Sequence, residues 1–200
     1  MTSPFPITIG VTGGIGSGKS HVCRLLESGG APVFYTDTAA KQIIRTHPLV
    51  QEELRRLVGK EVYDEQGALA KSVLAAYLCR GRAFSRQVDA IVHPRVAEAW
   101  KAFVHRHAAT LPRPAYIYME CALLFESGFN RLVDKTLLVQ CPQEERIRRV
   151  MERDGIDRET VSKWMSLQMS ETEKERRSDL LLLNDGHTDI RGELHRLSLR

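Results

Sequence analysis

Short apolar runs alternate along the chain with longer stretches that have helical spacing. Runs of about four to eight apolar residues predict buried strands, and there are five of them. Near-continuous apolar strands are typical of parallel sheets that are covered by helices on both faces. The pattern therefore predicts an α/β fold with a parallel sheet of about five strands. The predicted strands are Ile7–Thr12, Pro32–Tyr35, Tyr116–Met119, Thr136–Gln140 and Leu180–Leu183.

The stretch between the second and third predicted strands, about residues 38–112, has helical spacing and no strand pattern. Its longest apolar stripe extends from Val88 to Val104 and is interrupted at His93-Pro94, which we interpret as a helix break and cap. One crossover helix is enough to join two parallel strands, so several helices here predict an inserted lobe. The chain returns to the sheet near Pro112-Arg-Pro114. The predicted core comprises residues 1–37 and 113–200.

A glycine-rich segment directly after the first strand fits the pattern G-x-x-x-x-G-K-[ST]. Glycines let backbone N–H groups surround a polyphosphate, and the helix that follows presents its own N–H groups to the same anion. Lys19 would supply charge to the β- and γ-phosphate oxygens, and the Ser20 hydroxyl is a hard ligand for Mg²⁺. The segment predicts a phosphate-binding loop (P-loop) for a nucleoside triphosphate. Its residues are Gly13, Gly14, Ile15, Gly16, Ser17, Gly18, Lys19 and Ser20.

Composition and charge narrow the class of protein. The chain has 29 basic and 25 acidic residues mixed along its length, so the net charge of +4 fits a phosphorylated small molecule as well as a nucleic acid. No apolar run is long enough to span a membrane, and no secretory signal is visible. The four cysteines form no CxxC pair, which favours a reducing, cytoplasmic compartment. We expect no nucleic-acid or membrane partner, and a monomer or small homo-oligomer.

The P-loop class that fits best is a kinase acting on a small metabolite. The chain has no NKxD motif, which a GTPase would need to bind guanine, and it is short for a motor or helicase. An inserted helical lobe and an arginine-rich late segment fit a kinase with a second pocket and a lid that excludes water. Two alternatives stay open at this point: a kinase for a nucleoside monophosphate or similar metabolite, and a non-catalytic nucleotide-binding regulator.

Two further sets of residues are candidates for phosphate chemistry. Asp37 follows the second strand at the sheet edge where ligands bind, so it could accept a proton from an attacking hydroxyl; the alternative is an N-cap for the next helix. Arg146, Arg149 and Arg153 have i, i+3, i+7 spacing and share one helical face. They could close over the transferring phosphate, or form a solvated helix paired with nearby glutamates.

Taken together, these residues resemble dephospho-coenzyme A kinases, which phosphorylate the ribose 3′-hydroxyl of dephospho-CoA with ATP. The resemblance covers about residues 7–186 in the family's order. Tyr35 stands where the family usually has the first aspartate of an Asp-x-Asp segment, and Ala122 replaces its usual proline. The matching segments are Ile9–Ser20, Asp37, Ile91–Pro94, Leu123–Glu126, Arg149 with Arg153, Gln168, Ser178-Asp179 and Leu183-Asn184.

The resemblance implies an architecture and a set of roles. The α/β core would bind ATP and Mg²⁺, the helical lobe at about 38–112 would bind the coenzyme, and a helical lid would span about 142–176. Asp37 would orient and deprotonate the 3′-hydroxyl for direct in-line transfer. The implied catalytic residues are Lys19, Asp37, Arg149 and Arg153, with Ser20 at the metal. The implied substrate-binding residues are Asp37, His93, Leu124 and Glu126.

Overall fold

The computed structural model describes residues 6–110, 116–197 and 199. Its strands are β1 (Ile7–Thr12), β2 (Val33–Tyr35), β3 (Tyr116–Glu120), β4 (Lys135–Gln140) and β5 (Leu180–Leu183). They form one sheet in the order β2-β3-β1-β4-β5, and all neighbouring pairs are parallel. The predicted α/β class with a five-stranded parallel sheet is therefore confirmed.

Helices connect and flank these strands. They are α1 (Lys19–Ser28), α2 (Thr36–Thr46), α3 (Pro48–Val58), α4 (Lys71–Leu78), α5 (Arg82–Ala108), α6 (Gln143–Asp154), α7 (Arg158–Ser166), α8 (Glu171–Arg177) and α9 (Ile190–Arg196). Short 3₁₀ helices cover Lys60–Val62 and Phe129–Leu132. Among the described residues, no helix combines the length and the apolar character that crossing a lipid bilayer requires.

The sheet core is built around β1, which lies between β3 and β4. Alternate residues of β1 point to opposite faces. Ile9 and Val11 are fully buried in a cluster with residues of α1 and α9. Gly10 lies against Leu124, whose methyl carbon would be only 2.8 Å from a Cβ placed there. Packing on both sides holds β1 firmly, and the P-loop begins where this strand ends.

The chain divides into two compact units. One comprises the described residues of Met1–Tyr35 and Val104–Arg200, and the other comprises Thr36–Phe103. The first unit contains the whole sheet and helices α6–α8. The second is helical, and its core includes Val50, Leu54 and Val62. The predicted return to the sheet at Pro112-Arg-Pro114 lies in residues outside the described part of the chain.

The predicted helix break at His93-Pro94 is wrong, because α5 continues through this position. Proline removes one backbone hydrogen bond from a helix interior, here the bond to the carbonyl of Ala90. Ala90 and Pro94 are both exposed, so water can reach the carbonyl that loses its partner. The buried stripe on the other side, which includes Val88, Val92 and Val96, stabilises the continuous helix.

Candidate active site

The P-loop connects the buried end of β1 to the first turn of α1. Gly13, Gly16 and Gly18 have φ angles of 154°, 79° and 88°, which residues with a Cβ rarely adopt. A Cβ at Gly13 would also lie 2.6 Å from Ser17 Oγ. The loop therefore requires glycine at these positions for both backbone conformation and space.

Four carbonyl oxygens of the P-loop accept hydrogen bonds from side chains, which fixes the orientation of their peptide groups. Two of the donors belong to residues more than a hundred positions away in the chain. The bonds run from Lys19 Nζ to Gly13 O (2.8 Å) and Gly14 O (3.4 Å), from Arg146 Nε to Ile15 O (2.9 Å), and from Asn184 Nδ2 to Ser17 O (2.8 Å).

Several amide groups of the P-loop are, in contrast, open to a ligand. Within the described chain, no acceptor is bonded to the backbone N–H groups of Gly16, Gly18, Lys19 or Ser20. The Ser17 hydroxyl is buried and also has no partner among the described residues. Unpaired N–H groups at the start of a helix bind phosphate oxygens well. The loop therefore fits a polyphosphate, which would satisfy donors that the protein leaves unpaired.

Lys19 lies folded onto the loop, with its ammonium group on the Gly13 carbonyl. Burial lowers the pKa of this ammonium, and the like charges of Lys174 and Arg146 lower it further, while the Glu120 carboxylate opposes them. A bound polyphosphate would supply the negative charge that this group of cations lacks. Ser20, by comparison, is exposed in the first turn of α1.

Helices α6 and α8 contribute a buried ionic cluster next to Gly14. Arg146 is 4% exposed, and its guanidinium lies 3.2 Å from Glu171 Oε1. The same oxygen lies 3.3 Å from the Nζ of Lys174, which has no exposed surface. A Cβ at Gly14 would overlap the Arg146 guanidinium and lie 2.6 Å from Glu171 Oε1. Glycine at this position therefore makes room for the cluster.

The other two arginines of the predicted stripe have different surroundings. Arg149 lies beside the P-loop, since a Cβ at Gly18 would be 3.5 Å from one of its terminal nitrogens. Its Nε donates to Glu145 at 2.7 Å, and hydrogen bonds from Arg148 and Arg149 lower the pKa of Glu145 to about 2. Arg153 has a side chain that is 64% exposed and pairs with Asp154 at 2.7 Å. The structure thus brings Arg149 to the loop, and the role of Arg153 stays a prediction.

Two predicted site residues belong to the second compact unit. Asp37 lies in the first turn of α2, two residues after the end of β2, and its exposed carboxylate pairs with Lys41 at 2.9 Å. The N-cap interpretation of Asp37 is wrong, because the helix already begins at Thr36. His93 lies on α5 with its Nε2 3.5 Å from Asp89. The predicted roles of Asp37 and His93 stay predictions.

Leu124 and Glu126 belong to the segment that follows β3. Leu124 is fully buried and packs on Gly10, so its predicted contact with substrate stays a prediction. Glu126 is exposed, and its Oε1 accepts a hydrogen bond from the backbone N–H of Met169 at 2.9 Å. The segment therefore contacts the connection between α7 and α8.

Comparison with known proteins decides the family. The family model for dephospho-CoA kinase matches residues 7–189. The chain belongs to the dephospho-CoA kinase family. A dephospho-CoA kinase from Bacteroides fragilis is 41% identical over 185 residues, which cover 92% of this chain and 87% of the relative. One from Thermus thermophilus is 40% identical over 181 residues, covering 90% of this chain and 84% of the relative.

Solved structures share the fold of this chain. A crystal structure from Thermus thermophilus superimposes with a TM-score of 0.82 at 36% identity, covering 98% of this chain and 97% of that one. A dephospho-CoA kinase from Campylobacter jejuni matches with a TM-score of 0.70 at 20% identity, covering 96% and 95%. At that identity the second match shows only that the fold is shared.

Some residues of this dephospho-CoA kinase site were not assigned a role from the sequence. Gln168 and Asn184 match the family pattern, and both bond to the P-loop backbone. Arg146 belonged to the arginine stripe, but its buried contact with Ile15 was not predicted. Nothing in the sequence indicated that Lys174 is buried, since it lies in the highly charged helix α8.

Proposed function

We propose that this protein transfers the γ-phosphoryl group of ATP to the ribose 3′-hydroxyl of dephospho-CoA, giving coenzyme A. The observation that carries the proposal is the P-loop of a chain whose family match extends over residues 7–189. Four of its carbonyls are bonded to side chains, and among the described residues the N–H groups of Gly16, Gly18, Lys19 and Ser20 have no acceptor. Phosphoryl transfer depends mainly on positioning and on neutralising charge, and this loop supports both.

Each residue of the P-loop side of the site has a distinct part in the proposed transfer. The amides of Gly16, Gly18, Lys19 and Ser20 would hold the phosphate oxygens, and the Lys19 ammonium would leave the Gly13 carbonyl to neutralise the transferring group. Arg149 would donate to the same oxygens while Glu145 holds its Nε. In-line transfer from ATP to the hydroxyl needs no covalent intermediate on the protein.

The acceptor side of the proposal rests on Asp37. Its carboxylate is exposed, and its ion pair with Lys41 is between two exposed side chains, which makes it weak and easily exchanged for a substrate hydroxyl. Asp37 would accept the proton of the 3′-hydroxyl as the oxygen attacks phosphorus. His93, Leu124 and Glu126 would contribute to binding of the coenzyme, and Arg153 to closure over the phosphates.

Magnesium fits the donors of this site. Mg²⁺ typically keeps several waters and takes one or two protein oxygens together with substrate phosphates. The exposed Ser20 hydroxyl would be its protein ligand, and among the described residues no group of three or more His, Cys, Asp and Glu side chains could hold a metal instead. When bound, the ion would neutralise charge on the β- and γ-phosphate oxygens. A cytoplasmic location, the lack of a nucleic-acid partner and a monomer or small homo-oligomer stay predictions.

An acceptor comparison tests the proposed function. ADP release from ATP and Mg²⁺ is measured with dephospho-CoA, AMP or CMP as acceptor, or with none. We expect dephospho-CoA to stimulate ADP release by far the most, and the Lys19→Ala variant to lose that stimulation. If AMP or CMP stimulated ADP release more than dephospho-CoA does, the proposed acceptor would be wrong. Equal rates of ADP release with and without each acceptor would contradict the kinase assignment.

A further inference from the structure

The third residue of the P-loop, Ile15, is held through both of its backbone polar groups. Its N–H donates to Gln168 Oε1 at 3.0 Å, and its carbonyl accepts from Arg146 Nε at 2.9 Å. Gln168 lies between α7 and α8, and Arg146 lies on α6. Two separate elements therefore fix the two peptide groups that flank Ile15, in a loop whose glycines leave it otherwise adaptable.

The two side chains that hold Ile15 are themselves held. Arg146 is buried against Glu171, and Glu171 also contacts the buried Lys174. The residue after Gln168, Met169, donates its N–H to Glu126 at 2.9 Å. This bond anchors the α7–α8 connection to the segment that follows β3. The Gln168 amide is thus presented to the loop from a connection that is fixed at the next residue.

From this geometry we infer that Gln168 and Arg146 are positioning residues that set the shape of the P-loop for ATP. Neither needs to touch the nucleotide. They would hold the peptides on both sides of Ile15, so that the N–H of Gly16, one residue further on, stays directed into the site. The inference rests on the proposed use of the P-loop for ATP and is independent of which acceptor is used.

A substitution at Gln168 separates this role from a structural one. In Gln168→Met the side chain keeps a similar length but loses the acceptor, which leaves the Ile15 N–H unpaired. We expect the Kd for ATP, measured by calorimetry without acceptor, to rise about tenfold. The KM for dephospho-CoA should stay near wild type. The Tm should fall only slightly, because this neutral bond is only partly buried and water can replace it, and hydrogen exchange of the Ile15 amide should become faster.

Two further variants control the experiment. Gln168→Glu keeps an acceptor oxygen, and the cluster of Arg146, Glu171 and Lys174 carries one net positive charge that offsets the added carboxylate; its Kd for ATP should return to within about threefold of wild type. Glu175→Gln changes an exposed side chain of α8 and should alter nothing.

Three outcomes would overturn the inference. An unchanged Kd in Gln168→Met would show that the bond does not position the loop. Tighter ATP binding would show that Gln168 competes with phosphate for the Ile15 amide. A Tm loss with both substrates weakened equally would indicate a purely structural role. If the wild-type protein binds ATP but transfers nothing to dephospho-CoA, the proposed function fails. The Kd for ATP of wild type and Gln168→Met can still be compared, so the positioning role is tested separately.

Discussion

Gly14→Ala is the substitution whose effect can be worked out most directly from the structure. The backbone of Gly14 does not have the positive φ of Gly13, Gly16 and Gly18, so alanine introduces no conformational strain there. Its Cβ would, however, lie 2.6 Å from Glu171 Oε1 and overlap the Arg146 guanidinium. Contacts this short do not occur, so the buried arginine has to move away from the loop.

The cost follows from what Arg146 loses when it moves. Its charged hydrogen bond to the Ile15 carbonyl contributes about 1.5–3 kcal/mol to stability. Alanine also lowers the conformational entropy of the unfolded chain, which stabilises the folded protein by about 0.4–1 kcal/mol. We therefore expect a loss of about 0.5–2.5 kcal/mol in the free energy of unfolding. In a protein of this size that corresponds to a Tm decrease of roughly 1–10 °C. ATP should bind about tenfold more weakly, because the Ile15 carbonyl is released.

Thermal unfolding and calorimetry with ATP measure both effects. Gly29→Ala is the matched control: its φ is −85° and the nearest atom to an added Cβ, the Leu26 carbonyl oxygen, is 3.3 Å away. It should leave ATP binding unchanged, and its effect on the free energy of unfolding should stay within about 1 kcal/mol. In an Arg146→Ala background the space is already vacant, so adding Gly14→Ala should then cost little. Equal effects of Gly14→Ala in the two backgrounds would show that displacement of Arg146 is not the cause of the loss.

Three other predictions concern separate parts of the site. Asp37→Asn should lower kcat by at least about a hundredfold with little change in the Kd for ATP, because it removes the proton acceptor; equal loss of both would make Asp37 structural. Burial lowers the pKa of Lys19 in the free protein and bound phosphate would raise it, so ATP affinity should fall as pH rises through the lowered pKa. Calorimetry in two buffers should then detect proton uptake on binding, absent in Lys19→Met; proton release would contradict this. Asn184→Leu should cost about 1–3 kcal/mol, seen as a lower Tm, because it leaves the Ser17 carbonyl without its donor; a wild-type Tm would show that this bond is dispensable.

The parts of the fold that could be predicted depend on local patterns. The apolar runs of β1 and β4 predict strands because both faces are buried, and Leu137, Leu138 and Val139 are indeed without exposed surface. The P-loop was predictable because its glycines, Lys19 and Ser20 all lie within one stretch of eight consecutive residues. Family resemblance further indicated Gln168 and Asn184 as important, without a role for either.

The contacts that shape the loop could not be predicted, because they join residues far apart in the chain. Arg146 and Ile15 are 131 positions apart, and Gln168 and Ile15 are 153 apart. Helical spacing makes Arg146, Arg149 and Arg153 equivalent, and only the packing of α6 buries the first and exposes the last. The continuity of α5 through Pro94 likewise depends on buried side chains that a local rule for proline does not include.

Phosphorus NMR of the product made from ATP, Mg²⁺ and dephospho-CoA is the sharpest test of the proposed phosphoryl transfer. We expect a new phosphate monoester whose phosphorus couples to the hydrogen on ribose C3′, formed in equal amount to ADP. Formation of ADP with inorganic phosphate alone, or of a phosphate on any other oxygen of the acceptor, would contradict it.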